Sequence, residues 1–234
     1  MEEFLIHYKS EITRLIEITT AVVGIFFFKK YKDTDAKYFI YFLVYLSIGD
    51  FINTYTHYIR NNGVLSFLRG TVFEENYWWS TLFWKIGAIL FFAFYYNKVL
   101  KSPVFKVIIR LSRYTFFVFS ILYIIINWKD YFILFFPAIS IFGAIIIFLC
   151  SVFYFIETLQ SDKILSFYKS LNFYISVAIF IWWLIVTPLV FYDIYMSNSD
   201  WDFVFLRWEI YLFANIFMYS TFTFALIWCR PQND

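Results

Sequence analysis

The chain has 234 residues, of which 62% are hydrophobic and only 15% charged. A water-soluble domain is usually ~45–50% apolar and ~25% charged, so this composition excludes a soluble core and requires lipid as solvent. The net charge of +2 excludes the broad basic field of a nucleic-acid-binding protein.

In chain order, the first feature is an acidic start, Glu2, Glu3 and Glu11, the reverse of a basic secretory leader, so no cleaved signal is expected. About 20 mostly apolar residues are needed to cross a bilayer core as a helix. Seven runs qualify on this reading: residues 12–28, 38–59, 79–99, 104–126, 131–159, 171–192 and 203–229. They are expected to be helices, because a lipid-exposed backbone must satisfy its own hydrogen bonds. They lack the ~10-residue alternation of barrel strands. The expected fold is therefore all-α: a polytopic integral membrane bundle of seven transmembrane helices, forming a single domain.

Polar punctuation divides the runs. Lys29-Lys30-Tyr31-Lys32-Asp33 separates the first two, and Asn61-Asn62-Gly63 ends the second. The stretch 60–78 mixes Leu65, Phe67 and Phe73 with Glu74 and Glu75, and reads as a surface-lying or lid-like segment. Lys101-Ser102-Pro103 precedes the fourth run, with proline suited to a helix start. Asn127-Trp128-Lys129-Asp130 is the tightest break, and Ser197-Asn198-Ser199-Asp200 precedes the last run. Pro137 and Pro188 fall inside the fifth and sixth runs and should kink them.

Orientation follows from lysine and arginine. Taken alternately, one set of loops holds Lys29, Lys30, Lys32, Lys37, Lys98, Lys101, Lys106, Arg110, Arg113, Lys163, Lys169 and Arg230. The other holds Lys9, Arg14, Arg60, Arg69, Lys129 and Arg207. The richer side is expected to be cytoplasmic, which puts the N-terminus outside and the C-terminus inside. Trp78, Trp79, Trp128, Trp201 and Trp208 then fall near the outer ends, where an interfacial aromatic belt belongs. Cys150 and Cys229 fall toward the cytoplasmic side, where disulfides are disfavoured, and form no metal-binding pattern.

The informative residues are the ionisable ones inside the runs, where each charge costs at least ~2.5–3.5 kcal/mol near the bilayer centre. They are Glu17, Asp50, Lys85 and Glu209. Asp50, Asn53 and His57 share one helix face at i, i+3 and i+7. At ~1.5 Å per residue, Glu17, Lys85 and Glu209 lie about 8–9 Å below the outer ends of their helices. Asp50 lies on the order of 18 Å above the inner end of its own. The expectation is one polar cluster in the outer half, made of Glu17, Asp50, Asn53, His57, Lys85 and Glu209, with Lys85 pairing to Asp50 or Glu17. The alternatives are interfacial carboxylates at helix N-termini, a snorkelling lysine, or a proton path. A second group, Lys98, Lys101, Lys106, Arg110 and Arg113, forms a cytoplasmic basic patch suited to anionic lipid or to docking of a protein partner.

Catalytic and cofactor signatures are missing from the sequence. No H-E-x-x-H, G-x-S-x-G or phosphate-binding glycine loop occurs. Only two histidines exist, His7 and His57, and His7 precedes the first run, so haem and metal cofactors are not expected.

Several stretches carry a resemblance. They are Ile16-Glu17-Ile18, Lys29-Lys30-Tyr31-Lys32, and Lys37-Tyr38-Phe39 leading to Asp50. Further on are Leu159-Gln160-Ser161-Asp162-Lys163-Ile164-Leu165 and Ser170-Leu171-Asn172-Phe173-Tyr174, leading to Pro188. In these the chain resembles an uncharacterised seven-helix membrane family of Bacteroidota. The resemblance implies a single helical bundle in a bacterial inner membrane and no defined activity. The residues themselves suggest a non-enzymatic, receptor-like protein or subunit of a membrane complex with an outward polar pocket. The alternatives are a transporter or channel subunit moving a small ion or proton, and a lipid-acting membrane enzyme.

Overall fold

A computed structural model describes residues 2–60, 63–161, 165–195 and 201–231, with backbone alone at 2–7, 60 and 193–195. The breaks at Asn61-Asn62 and Ser197–Asp200, the charge of Lys163 and the side chain of His7 lie outside the described residues. Ten helices are described: α1 (Glu2–Phe26), α2 (Phe28–Tyr31), α3 (Ala36–Asn53), α4 (Tyr55–Arg60), α5 (Tyr77–Ser80), α6 (Gly87–Val99), α7 (Pro103–Ile126), α8 (Pro137–Leu159), α9 (Leu171–Tyr195) and α10 (Trp201–Trp228). A π-helical stretch, Thr81–Ile86, joins α5 and α6 into one rod. No strand occurs among the described residues.

Five rods are long and apolar enough to cross a membrane: Tyr77–Val99, Pro103–Ile126, Pro137–Leu159, Leu171–Tyr192 and Trp201–Trp228. This is fewer than the seven expected. The two that fall short both carry polar residues along their length. α1 is 25 residues long but carries Lys9, Glu11, Arg14 and Glu17. α3 spans 18 residues, carries Ser47, Asp50 and Asn53, and stops at Thr54, where the helix turns into α4.

The two prolines sit differently. Pro188 lies inside α9. Pro137 does not lie inside a helix: residues Asp130–Phe132 form a separate 3-10 turn, and Pro137 opens α8 at its first position. There its missing N–H goes unneeded and its fixed φ is already helical, so it starts the helix rather than kinking it.

α1 packs between α3 and α10. Contacts then run from α10 to α9, α9 to α8 and α8 to α6, and a lighter contact of α3 on α6 closes the ring. α7 stands outside the ring against α6 and α8. Its sequence explains the position: the buried residues Ile109, Phe116, Ser120 and Ile124 form a single stripe, while Leu111, Val118, Leu122 and Ile125 are exposed. Ser102 caps its start by accepting from the Phe105 N–H, and the Glu157 carboxylate at the end of α8 accepts from the backbone N–H groups of Lys101 and Ser102, both at 2.8 Å. An acidic group there also suits the positive end of the helix dipole.

One end of the ring is closed. Phe39, Tyr95, Tyr96 and Phe222 are fully buried there, with the Phe39 and Phe222 rings edge to face at 4.9 Å. Most of the polar groups at this end are bonded internally, although Ser151 Oγ is buried without a hydrogen bond. The Tyr95 hydroxyl donates to Asn172 Oδ1 at 2.5 Å, and the Tyr96 hydroxyl bonds Ser176 Oγ at 2.6 Å. Lys30 Nζ and the Tyr31 hydroxyl donate to the last carbonyls of α10, those of Leu226, Ile227 and Cys229. A lysine at a helix C-terminus also suits the dipole. Cys150 and Cys229 are buried as free thiols.

Candidate ligand-binding cavity

At the other end the ring opens around a cavity of about 760 Å³. Every rod of the ring contributes to it, that of α6 through α5 and the π-helical stretch, and α7 does not. α1 supplies Lys9, Thr13 and Arg14; α3 and α4 supply Asp50, Asn53, Thr56 and His57. The α5–α6 rod supplies Tyr77, Ser80, Trp84 and Lys85, the last two from the π-helical stretch. The approach to α8 supplies Phe135 and α8 itself Ser140, α9 supplies Trp182 and Trp183, and α10 supplies Arg207, Trp208, Tyr211 and Asn215.

Two helices meet closely beside it. The Phe83 ring lies against Gly49 where any Cβ would collide, and Trp79 Nε1 donates to the Gly49 carbonyl at 3.0 Å. Only glycine permits that approach, and it sets the α3 face carrying Gly49 against the π-helical stretch, while Asp50, the next residue and about 100° further round, turns toward α1. At the rim the Tyr55 hydroxyl donates to the Phe73 and Glu75 carbonyls and accepts from Trp78 Nε1. These bonds tie the 63–76 segment to α4. That segment contains one 3-10 turn, Ser66–Leu68, and a positive-φ Gly70.

The predicted cluster is partly assembled. Asp50, Asn53, His57 and Lys85 all line the cavity. The expected Asp50–Lys85 ion pair does not form. Asp50 Oδ2 instead meets Arg14 Nε at 3.1 Å, with the two side chains 36% and 30% exposed. The reason is packing: α3 lies along α1 and touches α6 more lightly, so the carboxylate meets the cation of its closer neighbour. Lys85 Nζ lies over the Phe135 ring at 4.6 Å.

Glu17 and Glu209 are not among the cavity-lining residues. Glu17 is 7% exposed and sits between α1 and α10, with Oε2 accepting from the Tyr219 hydroxyl at 3.0 Å and Oε1 buried without a hydrogen bond. One helical turn on, Thr20 Oγ1 bonds Thr223 Oγ1 at 2.9 Å. Glu209 is half-buried. The basic patch residues Lys98, Lys101, Lys106, Arg110 and Arg113 gather at the α6–α7 junction on the closed end, away from the cavity.

Sequence reasoning missed Lys9, Arg14 and Arg207 as site residues, assigning them to topology alone. A signal was present in α1. Lys9, Thr13, Glu17 and Thr20 follow one another at i+4, i+4 and i+3, a polar stripe down one face of the helix that points to Lys9, though not to Arg14, which lies off it. Trp208, expected in the aromatic belt, turns inward, and Lys9 Nζ sits 2.8 Å from its ring centroid. Burial and the nearby Arg207 charge push the Lys9 ammonium down to about 8.

The floor is aromatic and amide. Trp182 Nε1 donates to Asn215 Oδ1 at 2.7 Å, and the Trp84 and Trp182 rings meet edge to face at 5.7 Å. An indole N–H only donates, so this bond fixes the Asn215 amide with its oxygen on Trp182 and its NH₂ free to point elsewhere. Among the described residues no group of three or more His, Cys, Asp or Glu stands together to hold a metal.

Fold and cavity together define an all-helical membrane protein whose helix ring is packed shut at one end and opens into a polar chamber at the other. Comparison with known protein families, curated proteins and solved structures gives no match to this chain.

Proposed function

We propose that the chain is a non-enzymatic, receptor-like membrane protein that binds a small ligand in this chamber, with seven spans and the chamber facing outward from a bacterial inner membrane. The observation that carries the reading is the cavity itself. Six rods from across the chain converge on one space of about 760 Å³, five of them with charged, amide or hydroxyl side chains and α9 with tryptophans. That size lies within the ~300–1,000 Å³ of small-molecule sites. Polar side chains are costly in a membrane, and a wet binding chamber accounts for their convergence. The polarity of α1 and α3 has the same origin, so both count as spans despite their charges. The ends of the rods that carry Lys29, Lys30, Lys37, Lys101, Lys169 and Arg230 lie together at the closed end, which the positive-inside rule assigns to the cytoplasm. The basic patch there fits contact with anionic lipid headgroups. The packed tyrosines of the closed end favour a binder over a channel, which would need a continuous path.

Substituted-cysteine labelling tests this reading. Ser80→Cys and Asn53→Cys, in the chamber, should react with a membrane-impermeant thiol reagent added outside intact cells. Ser176→Cys, fully buried at the closed end, should react from neither side. The native Cys150 and Cys229 are buried and give a low background. A Ser80→Cys variant that is silent from outside, or labelled only from inside, overturns the outward chamber.

A further inference from the structure

We propose that the ligand is a small organic anion with a flat, unsaturated body, taken from the aqueous side and held by Arg14, Lys9 and Asn215 between tryptophan walls. The inference rests on the ligand-binding reading above and specifies its chemistry. It follows from asking which hydrogen-bonding capacity the chamber leaves over once its internal bonds are made.

Arg14 uses only Nε on Asp50. A guanidinium has five N–H donors, and its two terminal nitrogens carry the remaining four in a planar fork shaped for a carboxylate, sulfonate or phosphate. Asp50 fixes the plane of that fork, and its own charge is already engaged by it. Asn215 spends its oxygen on Trp182 and keeps two amide donors. Lys9 stands over the Trp208 face as a further donor, close enough to Arg207 for the two cations to repel. These three groups therefore offer donors and positive charge and retain no strong acceptor. An anion satisfies all of them, and its arrival relieves the repulsion between Lys9 and Arg207.

The body of the ligand is read from the walls. Trp84, Trp182, Trp183 and Tyr211 line the same space as Asn215. Large rigid rings around a few placed polar groups are the usual construction for an aromatic or conjugated ligand. An inorganic ion would engage the donors and make no use of the ring faces that line the space.

The test uses the full chain in phosphatidylcholine nanodiscs, titrated calorimetrically with 3-phenylpropionate, with 3-phenylpropylamine of matching shape and opposite charge, and with inorganic phosphate. The carboxylate should bind at least tenfold more tightly than either of the others. Arg14→Gln and Asn215→Asp should each weaken it tenfold or more, while Glu209→Gln, outside the cavity on α10, should leave it unchanged. The comparison of the three probes needs no variant, so a misfolded mutant does not remove the test. Equal or tighter binding of the amine overturns the proposal, as does silence of 3-phenylpropionate at millimolar concentration. Phosphate binding as tightly as the carboxylate overturns the flat body. Nanodiscs containing phosphatidylglycerol separate a dissolved anion from a lipid phosphate: unchanged affinity supports the dissolved ligand, and competition by the lipid overturns it. If Ser80→Cys labels from outside and the amine wins, the chamber stands and the ligand class falls. If Ser80→Cys is silent, both fall.

Discussion

The closed and open ends of the ring both hold polar side chains and use them differently. At the closed end the partners are neutral and matched: Tyr95 with Asn172, Tyr96 with Ser176, Tyr154 with Ser170, Tyr31 with the last carbonyls of α10. Each of these hydroxyls finds a partner inside the protein, and the demand left over is that of a neutral group, the buried Ser151 Oγ. At the open end the groups are charged or amide, and their bonds leave capacity over: Arg14 spends one nitrogen, and Asn215 spends only its oxygen. A polar residue in a membrane bundle is thus uninformative by itself. What separates the two ends is the kind of capacity left over: charged and amide donors facing a shared space at the open end, a single neutral hydroxyl packed in the core at the closed end.

The largest effect should come from the closed end. Phe39 is fully buried against Phe222 and Tyr95. Phe39→Ala should destabilise the fold by ~3–5 kcal/mol, the range for a large aromatic removed from a packed core. Reversible unfolding in mixed micelles measures it. A loss below ~1 kcal/mol would mean that this end is loosely packed, and the contrast between the two ends would break.

A smaller effect belongs to the Arg14–Asp50 pair, and it sharpens the contrast by reporting how wet the chamber is. With side chains 30% and 36% exposed, the pair should behave like an exposed ion pair. A double-mutant cycle of Arg14→Gln and Asp50→Asn, scored by thermal unfolding, should give a coupling of ~0.2–1 kcal/mol. Single-mutant losses of ~3–5 kcal/mol, recovered in the double mutant, would instead indicate a dry site.

That pair also marks where sequence reasoning ran out. Helical periodicity placed Asp50, Asn53 and His57 on one face, and depth along the helix axis placed Lys85 at a matching height. Both follow from the 1.5 Å rise and the 100° turn of a helix. All four residues line the cavity. What periodicity lacks is azimuth relative to the neighbours. Whether Asp50 meets Lys85 or Arg14 depends on how closely α3 lies on α1 and on α6, which side-chain packing decides and no single helix encodes. Glu17 fails for the same reason: its height matches the cluster, yet its face turns to Tyr219 on α10. Pro137 was legible as a breaker but not as a beginning, because the apolar run around it continues on both sides while the helix does not. The π-helical stretch that brings both Trp84 and Lys85 to the cavity has no signature in its residues, which read as ordinary helix.

The smallest effect tests the charge crowding at the open end through pH. In the folded protein Lys9 is pushed down to about 8, first by burial and then by Arg207; in the unfolded chain it returns to the ordinary 10.5. Between those values the unfolded state keeps its proton and the folded state has shed it. The unfolded state therefore binds more protons, and stability should rise with pH across that window. This is opposite in sign to a lysine held by a carboxylate, whose contribution would fade as pH rose. The melting temperature of the full chain in nanodiscs, followed from below pH 8 toward pH 10, should climb slightly, and the climb should be missing from Lys9→Met. Arg207→Gln should reduce it by removing the repelling charge. Saturating 3-phenylpropionate should move the window upward, because an anion beside the ammonium favours its charged form. A melting temperature that falls through this range in the native chain but not in Lys9→Met would mean that Lys9 already has an anionic partner, and the chamber would lose its open cation.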